Sequence, residues 1–170
     1  KPGKLNSYQL AKRKLKDGFV ISGFNEVLTY SLVSDEDKTR IKISNPLLQE
    51  TSCLRNNIWQ EHIRICNQNI KAGRESCWIF ETGNIFVNTL TNNQIEILSG
   101  AISGNNYDEK WEFSGKSSEL NYYQARGKLR QVFSHLNVSI IDKPTDKYKY
   151  LHPGRTSFLI IEGKEAGYFL

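Results

Sequence analysis

The sequence predicts an α+β domain built on an antiparallel sheet with helices packed on it. Three observations carry that prediction. Helical and strand periodicities alternate in the order helix, two strands, helix, three strands, helix, three strands. The strands follow one another through hairpin-length connections, which suit antiparallel pairing. The βαβ alternation of a parallel doubly wound sheet is missing. A chain of 170 residues is long enough for a single domain over 1–170.

Residues 5–22 read as an amphipathic helix, because Tyr8, Ala11, Leu15 and Phe19 recur at steps of three and four. Gly23 is its expected stop. Residues 26–33 are β-rich, with Leu28, Tyr30 and Leu32 on one face and Val27, Thr29, Ser31 and Val33 on the other. Both faces are apolar or small, which predicts a central strand covered on each side. A polar turn at 34–38 leads to a short strand with Ile41 and Ile43. Asn45-Pro46 then breaks the ladder, since proline has no N–H to donate.

Thr51 or Ser52 is expected to cap a helix over 53–71 ended by Gly73, with Leu54, Ile58, Ile65 and Ile70 on its apolar face. Strands follow at 76–81, 84–88 and 95–102. Thr82-Gly83 reads as the turn between the first two, and Thr91-Asn92-Asn93 as a hairpin tip. A third helix spans 118–136, capped by Ser117 or Ser118 and striped by Leu120, Tyr123, Leu129, Phe133 and Leu136. The tail carries strands near 138–142, 156–162 and 166–170.

The charge excess is local. The net charge is +5, yet Lys1, Lys4, Lys12, Arg13, Lys14 and Lys16 all precede the first acid, and the remaining 17 basic residues nearly balance the 18 acidic ones. The basic start reads either as a solvated helix face or as a contact for RNA or an acidic partner. No run approaches the ~18 apolar residues that a membrane-crossing helix needs. The N-terminus has no signal-peptide layout and the chain contains no Met, so it reads as a cytoplasmic fragment of a longer protein.

Chemistry-bearing motifs are sparse. Neither GxGxxG, GxxxxGK[ST] nor GxSxG occurs. Cys53, Cys66 and Cys77 form no CxxC pair and read as free, buried thiols. His62 and Cys66 have metal-competent spacing but lack further ligands. Asp35-Glu36-Asp37 and Asp108-Glu109 read as solvated turn charges. Glu81, at the end of an apolar run, reads as a structural hydrogen-bond acceptor. In His152-Pro153-Gly154-Arg155, the His and Arg either offer donors to an anion or satisfy carbonyls at a strand start. An enzyme built from Glu81, His152 and Arg155 requires those groups to converge. Trp59, Trp78, Trp111, Tyr122 and Tyr123 read as core or interface material.

Four collinear strings resemble one family, the bacterial phenylalanine–tRNA ligase beta subunits. They are Gly23-Phe24-Asn25-Glu26-Val27-Leu28-Thr29-Tyr30-Ser31-Leu32-Val33-Ser34, then Ile43-Ser44-Asn45-Pro46-Leu47 with Glu50, Ser52 and Leu54-Arg55, then Phe80-Glu81-Thr82-Gly83-Asn84-Ile85-Phe86, and finally Leu151-His152-Pro153-Gly154-Arg155 with Gly163 and Gly167. They cover nearly the whole chain. The resemblance implies a class II aminoacyl-tRNA synthetase-like antiparallel sheet flanked by helices, C-terminally truncated.

The same resemblance implies a catalytic-like module that is itself inactive, with no catalytic, cofactor or metal residue of its own. ATP and magnesium are used by the holoenzyme, a heterotetramer of two alpha and two beta chains that charges tRNA(Phe). The first helix corresponds to an interface helix, which points Tyr8, Ala11, Leu15 and Phe19 at the alpha subunit. Lys12, Arg13, Lys16, His152 and Arg155 are the candidate RNA or partner contacts. Competent class II domains place an Arg-x-Glu or Arg-x-Asp after the strand ending here at Phe86. This chain has Val87-Asn88-Thr89 there, and a neutral valine cannot neutralise phosphate charge. The expected function is a non-catalytic assembly module, and the alternative is a tRNA-contacting module working through the basic helix.

Overall fold

The computed structural model describes residues 3–88, 94–106, 118–147 and 151–170, with Pro153 described in its backbone only. The expected hairpin tip 91–93 lies outside these residues, as do Thr89, Asp108-Glu109, Trp111 and Ser117. The chain divides into two compact units, Lys1–Gly23 with Glu119–Leu170, and Phe24–Ser118.

The first unit holds α1 (Ser7–Ile21), α3 (Tyr122–His135) and a three-stranded sheet of β7 (Ile141–Pro144), β8 (Ser157–Ile161) and β9 (Lys164–Phe169). The sheet order is β7-β8-β9, antiparallel throughout. Asn6 caps α1 and Asn121 caps α3, each through a reciprocal pair with the glutamine three residues on. The cap expected at Ser118 is therefore corrected: Asn121 accepts the Gln124 N–H, and the helix begins at Tyr122. Phe19 meets Phe133 edge to face with ring centroids 6.4 Å apart, and Gly18 lies against Val132 and Leu136. On the sheet, Asp142 faces α3 and receives Arg126 and Arg130.

The second unit is built on a long hairpin of β5 (Ser76–Phe86) and β6 (Gln94–Gly104), paired in register from Ser76↔Gly104 to Phe86↔Gln94. The short β1 (Asn25–Glu26) adds to the free edge of β5, in parallel. A small antiparallel sheet, β2 (Leu32–Val33), β4 (Cys53–Leu54) and β3 (Ile41–Lys42), lies ahead of α2 (Trp59–Lys71) in the chain. Cys66, Cys77 and Ile79 pack with Val27, Ile65 and Ala101, and Phe24 covers Trp78 at 5.7 Å between ring centroids. All three cysteines are free and buried. Burial, then the neighbouring Cys77 thiol, pushes the Cys66 thiol up to about 12. Gly23 and Gly73 follow the two helices α1 and α2 at φ 91° and 85°, as their reading as stops requires.

Three expected elements differ. The strand over 26–33 is interrupted, because the backbone N–H of Thr29 turns to the Glu81 carboxylate instead of a ladder partner. Nor is it a central strand: Leu28 is 89% and Tyr30 86% exposed, while Val33 is buried. The helix expected from 53 starts at Trp59 instead. Cys53 and Leu54 bridge two strands, and a 3-10 turn occupies Gln49–Thr51. Thr82-Gly83 is no turn, since β5 runs through it unbroken.

Candidate functional site

Glu81 sits in the middle of β5, directly opposite Ser99 on β6. It is 1% exposed. A carboxylate removed from water must be paired and hydrogen-bonded to stay charged. Arg55 meets that need. It follows β4, where its own N–H bonds the Ser31 carbonyl and its carbonyl accepts the Phe86 N–H. These two backbone bonds aim the side chain at β5. Arg55 Nη2 donates to Glu81 Oε1 at 2.9 Å, Nε donates to the Asn84 carbonyl at 2.8 Å, and Nη1 donates to Thr29 Oγ1 at 2.7 Å. The Thr29 hydroxyl in turn donates to Glu81 Oε2 at 2.6 Å, and the Thr29 N–H donates to the same oxygen at 3.1 Å. Glu81 therefore provides the structural acceptor expected of it.

Gly83 completes the arrangement. A Cβ there would run into Arg55 Nη2 and lie 2.7 Å from Glu81 Oε1. The glycine read as a turn residue is thus a space-maker for the ion pair.

His62 of α2 closes one side of the cluster. Its Nε2 is 3.7 Å from Glu81 Oε2, beyond hydrogen-bond reach, and its Nδ1 is 3.3 Å from Ser99 Oγ. Burial, opposed in part by the Glu81 charge, lowers its pKa from the ordinary value. Burial wins because the ring is wholly enclosed and the Arg55 guanidinium already neutralises the glutamate. His62 and Cys66 serve different neighbours, since Cys66 Sγ turns to the Cys77 carbonyl at 3.7 Å.

A stability prediction follows for His62. Its folded pKa lies below the unfolded value of ~6.5, so the unfolded chain takes up the proton first as pH falls. Stability is full above pH ~6.5 and declines below it, by at most ~1.4 kcal/mol per pH unit, until the folded chain also binds the proton. Asp37, held down to about 2 by hydrogen bonds from Thr39 and Asn56, contributes only at lower pH. Urea melts between pH 8 and pH 5 are expected to show the decline in the native chain and a flatter profile in His62→Gln. Equal slopes would assign the decline to other groups.

The other sequence-derived residues lie elsewhere. On α1, Tyr8 and Ala11 are exposed and Leu15 is half-buried, whereas Phe19 is turned inward against Phe133. Phe19 is thereby a core residue of its unit and offers no surface to a partner, which corrects its placement in the interface stripe. Arg13 is exposed, and Lys12 and Lys16 are half-buried. His152 and Arg155 are exposed on the 3-10 turn Pro153–Arg155, where His152 Nδ1 accepts the Gly154 N–H at 3.1 Å. That bond belongs to the turn itself. Glu81 belongs to the other compact unit. Thr29, Arg55 and Gly83 escaped the reading of chemical motifs, where His62 entered only for its spacing from Cys66; the sequence signal for those three was that they fall inside the family strings.

The described end of β5 does not fit a nucleotide phosphate. Val87 and Asn88 are neutral, and Arg55, the cation nearest the strand in this cluster, spends Nε, Nη1 and Nη2 on Asn84, Thr29 and Glu81. On the other face of β5 the side chains of Trp78 and Phe80 are fully buried.

Comparison with known proteins gives the family. The family model "Phenylalanyl tRNA synthetase beta chain CLM domain" matches residues 1–169. A phenylalanine–tRNA ligase beta subunit of Prochlorococcus marinus (strain MIT 9312) is 63% identical over 169 residues, covering 99% of this chain and 21% of the relative. One from Synechococcus sp. (strain CC9902) is 45% identical over 170 residues, with the same two coverages. The chain thus spans about a fifth of the length of these relatives. Among solved structures, a pyrrolysyl tRNA synthetase of Desulfitobacterium hafniense, PylSc, superposes with a TM-score of 0.61 at 15% identity, over 94% of this chain and 56% of that one. This likeness concerns the fold alone, and the fold is that of a class II synthetase domain. Among the described residues no helix is long and apolar enough to cross a membrane. With 169 of its 170 residues matched by the model, the chain belongs to the family of phenylalanyl-tRNA synthetase beta chain CLM domains.

Proposed function

We propose that this chain is a non-catalytic structural and assembly module of a phenylalanine–tRNA ligase. In this reading its two compact units act together as one catalytic-like core, 1–170, that braces an alpha subunit. The alpha subunit attaches phenylalanine to tRNA(Phe) using ATP and magnesium, within a heterotetramer of two alpha and two beta chains. The observation that carries the reading is the locked Arg55–Glu81 pair in the middle of β5, a strand whose described end, Val87-Asn88, offers no cation to a phosphate. A guanidinium held by three fixed acceptors is a brace, because moving it to a ligand would abandon a buried carboxylate. Tyr8 and Ala11, both exposed, and half-buried Leu15 share one face of α1 and supply the partner face.

The test is reconstitution. Tyr8→Asp combined with Ala11→Asp is expected to release the alpha subunit in sedimentation velocity and to remove aminoacylation. Phenylalanine-dependent ATP–pyrophosphate exchange by the beta chain alone would overturn the non-catalytic reading. An intact complex in the double variant would remove α1 from the interface.

A further inference from the structure

Helix α2 and strand β5 bring two thiols together. Strand alternation puts Cys77, Ile79 and Glu81 on one face of β5. Residues four apart on a helix share a face, so His62 and Cys66, the two buried residues of α2, both turn to that strand. His62 meets Glu81. One helical turn later Cys66 meets Cys77, with its Sγ 3.7 Å from the Cys77 carbonyl oxygen. The Cys77 thiol is close enough to help burial push the Cys66 thiol up to about 12. Both cysteines are free, and they pack with Ile79, Val27, Ile65 and Ala101. Cys53 is also free and buried, but on β4, where the Ser52 hydroxyl lies 3.9 Å from its sulfur.

The aliphatic neighbours decide which chemistry suits the pair. A thiolate, a thiolate-bound cation or a sulfinate would place charge among side chains that solvate it poorly. A disulfide is neutral, and it removes two S–H groups from apolar surroundings. It is the oxidation product that this packing accepts. The high pKa also keeps the thiolate, the reactive form, scarce while α2 rests on β5. Reaction therefore waits for local opening of the helix from the strand, which exposes one thiol to water.

We propose that Cys66 and Cys77 form a site of reversible oxidative modification, in which a peroxide converts the two thiols into an intrachain disulfide. The exposed thiol ionises and its thiolate attacks a peroxide oxygen. The S–O bond forms, the O–O bond breaks, and hydroxide leaves and takes the released proton as water. On reclosure the second thiol gives up its proton and attacks the sulfenic sulfur, so that S–S forms and the sulfenic oxygen departs as water. Two thiols and one hydrogen peroxide thus give one disulfide and two waters; the sulfurs lose two electrons and the peroxide gains them. The new bond ties α2 to β5 and opposes further opening. This site acts independently of the bracing role.

In the experiment, the ligase that contains this chain is treated with hydrogen peroxide and unfolded in iodoacetamide to cap the remaining thiols. It is then digested without reductant and mapped by mass spectrometry. The expected product is a linked Cys66–Cys77 peptide, two hydrogens lighter than the reduced pair, with Cys53 recovered as the capped thiol. Dithiothreitol is expected to restore both thiols. Urea below the unfolding midpoint is expected to speed formation of the link about tenfold or more, because it raises the opened population. In Cys77→Ala, dimedone is expected to label Cys66 at least about tenfold more than in the native protein, since the sulfenic acid then has no neighbouring thiol to condense with. A native Cys66 recovered as sulfinic acid, or bridged to another chain, would overturn the proposal. So would a pair that stays reduced at every urea concentration below the midpoint, or that stays reduced while Cys53 reacts. Should Cys77→Ala fail to fold, the peptide map of the native ligase decides by the same outcomes.

Discussion

Replacing Glu81 with alanine is expected to destabilise the chain by about 3–5 kcal/mol, a large share of the ~5–15 kcal/mol that separates folded from unfolded domains. The side chain of Arg55 is 3% exposed. Without the carboxylate its charge stays buried against the neutral Thr29 hydroxyl and the carbonyls of Thr29 and Asn84. Thr29 also loses the acceptor for both its N–H and its hydroxyl. Glu81→Gln keeps the shape but leaves the guanidinium uncompensated, so it is expected to recover only part of the loss. The apolar double replacement Arg55→Met with Glu81→Leu is the informative control. It removes both desolvation costs together, and buried pairs replaced in this way are often neutral or more stable. Urea unfolding of the four proteins tests this. A Glu81→Ala cost below ~1 kcal/mol would show that water reaches the pair, because that is the range of solvent-exposed ion pairs.

The same cluster marks where sequence reading succeeds and where it stops. The three helices were legible because their apolar spacing is local, and α1 and α2 end at Gly23 and Gly73 as read. The β5–β6 ladder was legible as β-type residues, but its continuity was not. Thr82-Gly83 has the composition of a turn, and only the side chain of Arg55, 28 residues earlier, explains why glycine stands in a straight strand. Likewise, Val27 to Leu32 alternates like a covered strand. The acceptor that draws Thr29 out of the ladder is Glu81, 52 residues away. Phe19 belonged to the right helix face, yet the stripe's period could not say whether Phe133 or a partner covers it. Contacts between residues far apart in the sequence, polar at Gly83 and Thr29 and aromatic at Phe19, produced these differences, and periodicity does not register them.

Gly83→Ala is expected to cost nearly as much as Glu81→Ala, which is far beyond the ordinary effect of alanine on a strand. Its Cβ would overlap the guanidinium, 2.7 Å from the carboxylate oxygen and 3.3 Å from Ile58 Cδ1. Ile58 is fully buried and cannot yield, and the backbone of β5 is fixed by its ladder with β6. Arg55 must therefore retract from Glu81, which splits the pair as surely as removing a partner. If that is the route, the two costs share one origin and cannot add. In the Arg55→Met, Glu81→Leu background the branch of the leucine can turn from the new methyl, and Gly83→Ala is expected to cost ~1 kcal/mol or less, the scale of overpacking that a flexible core absorbs. A double-mutant cycle by urea unfolding measures the difference directly. An undiminished cost in that background would place the strain in the β5 backbone, because the methyl would then be intolerable whatever side chains surround it.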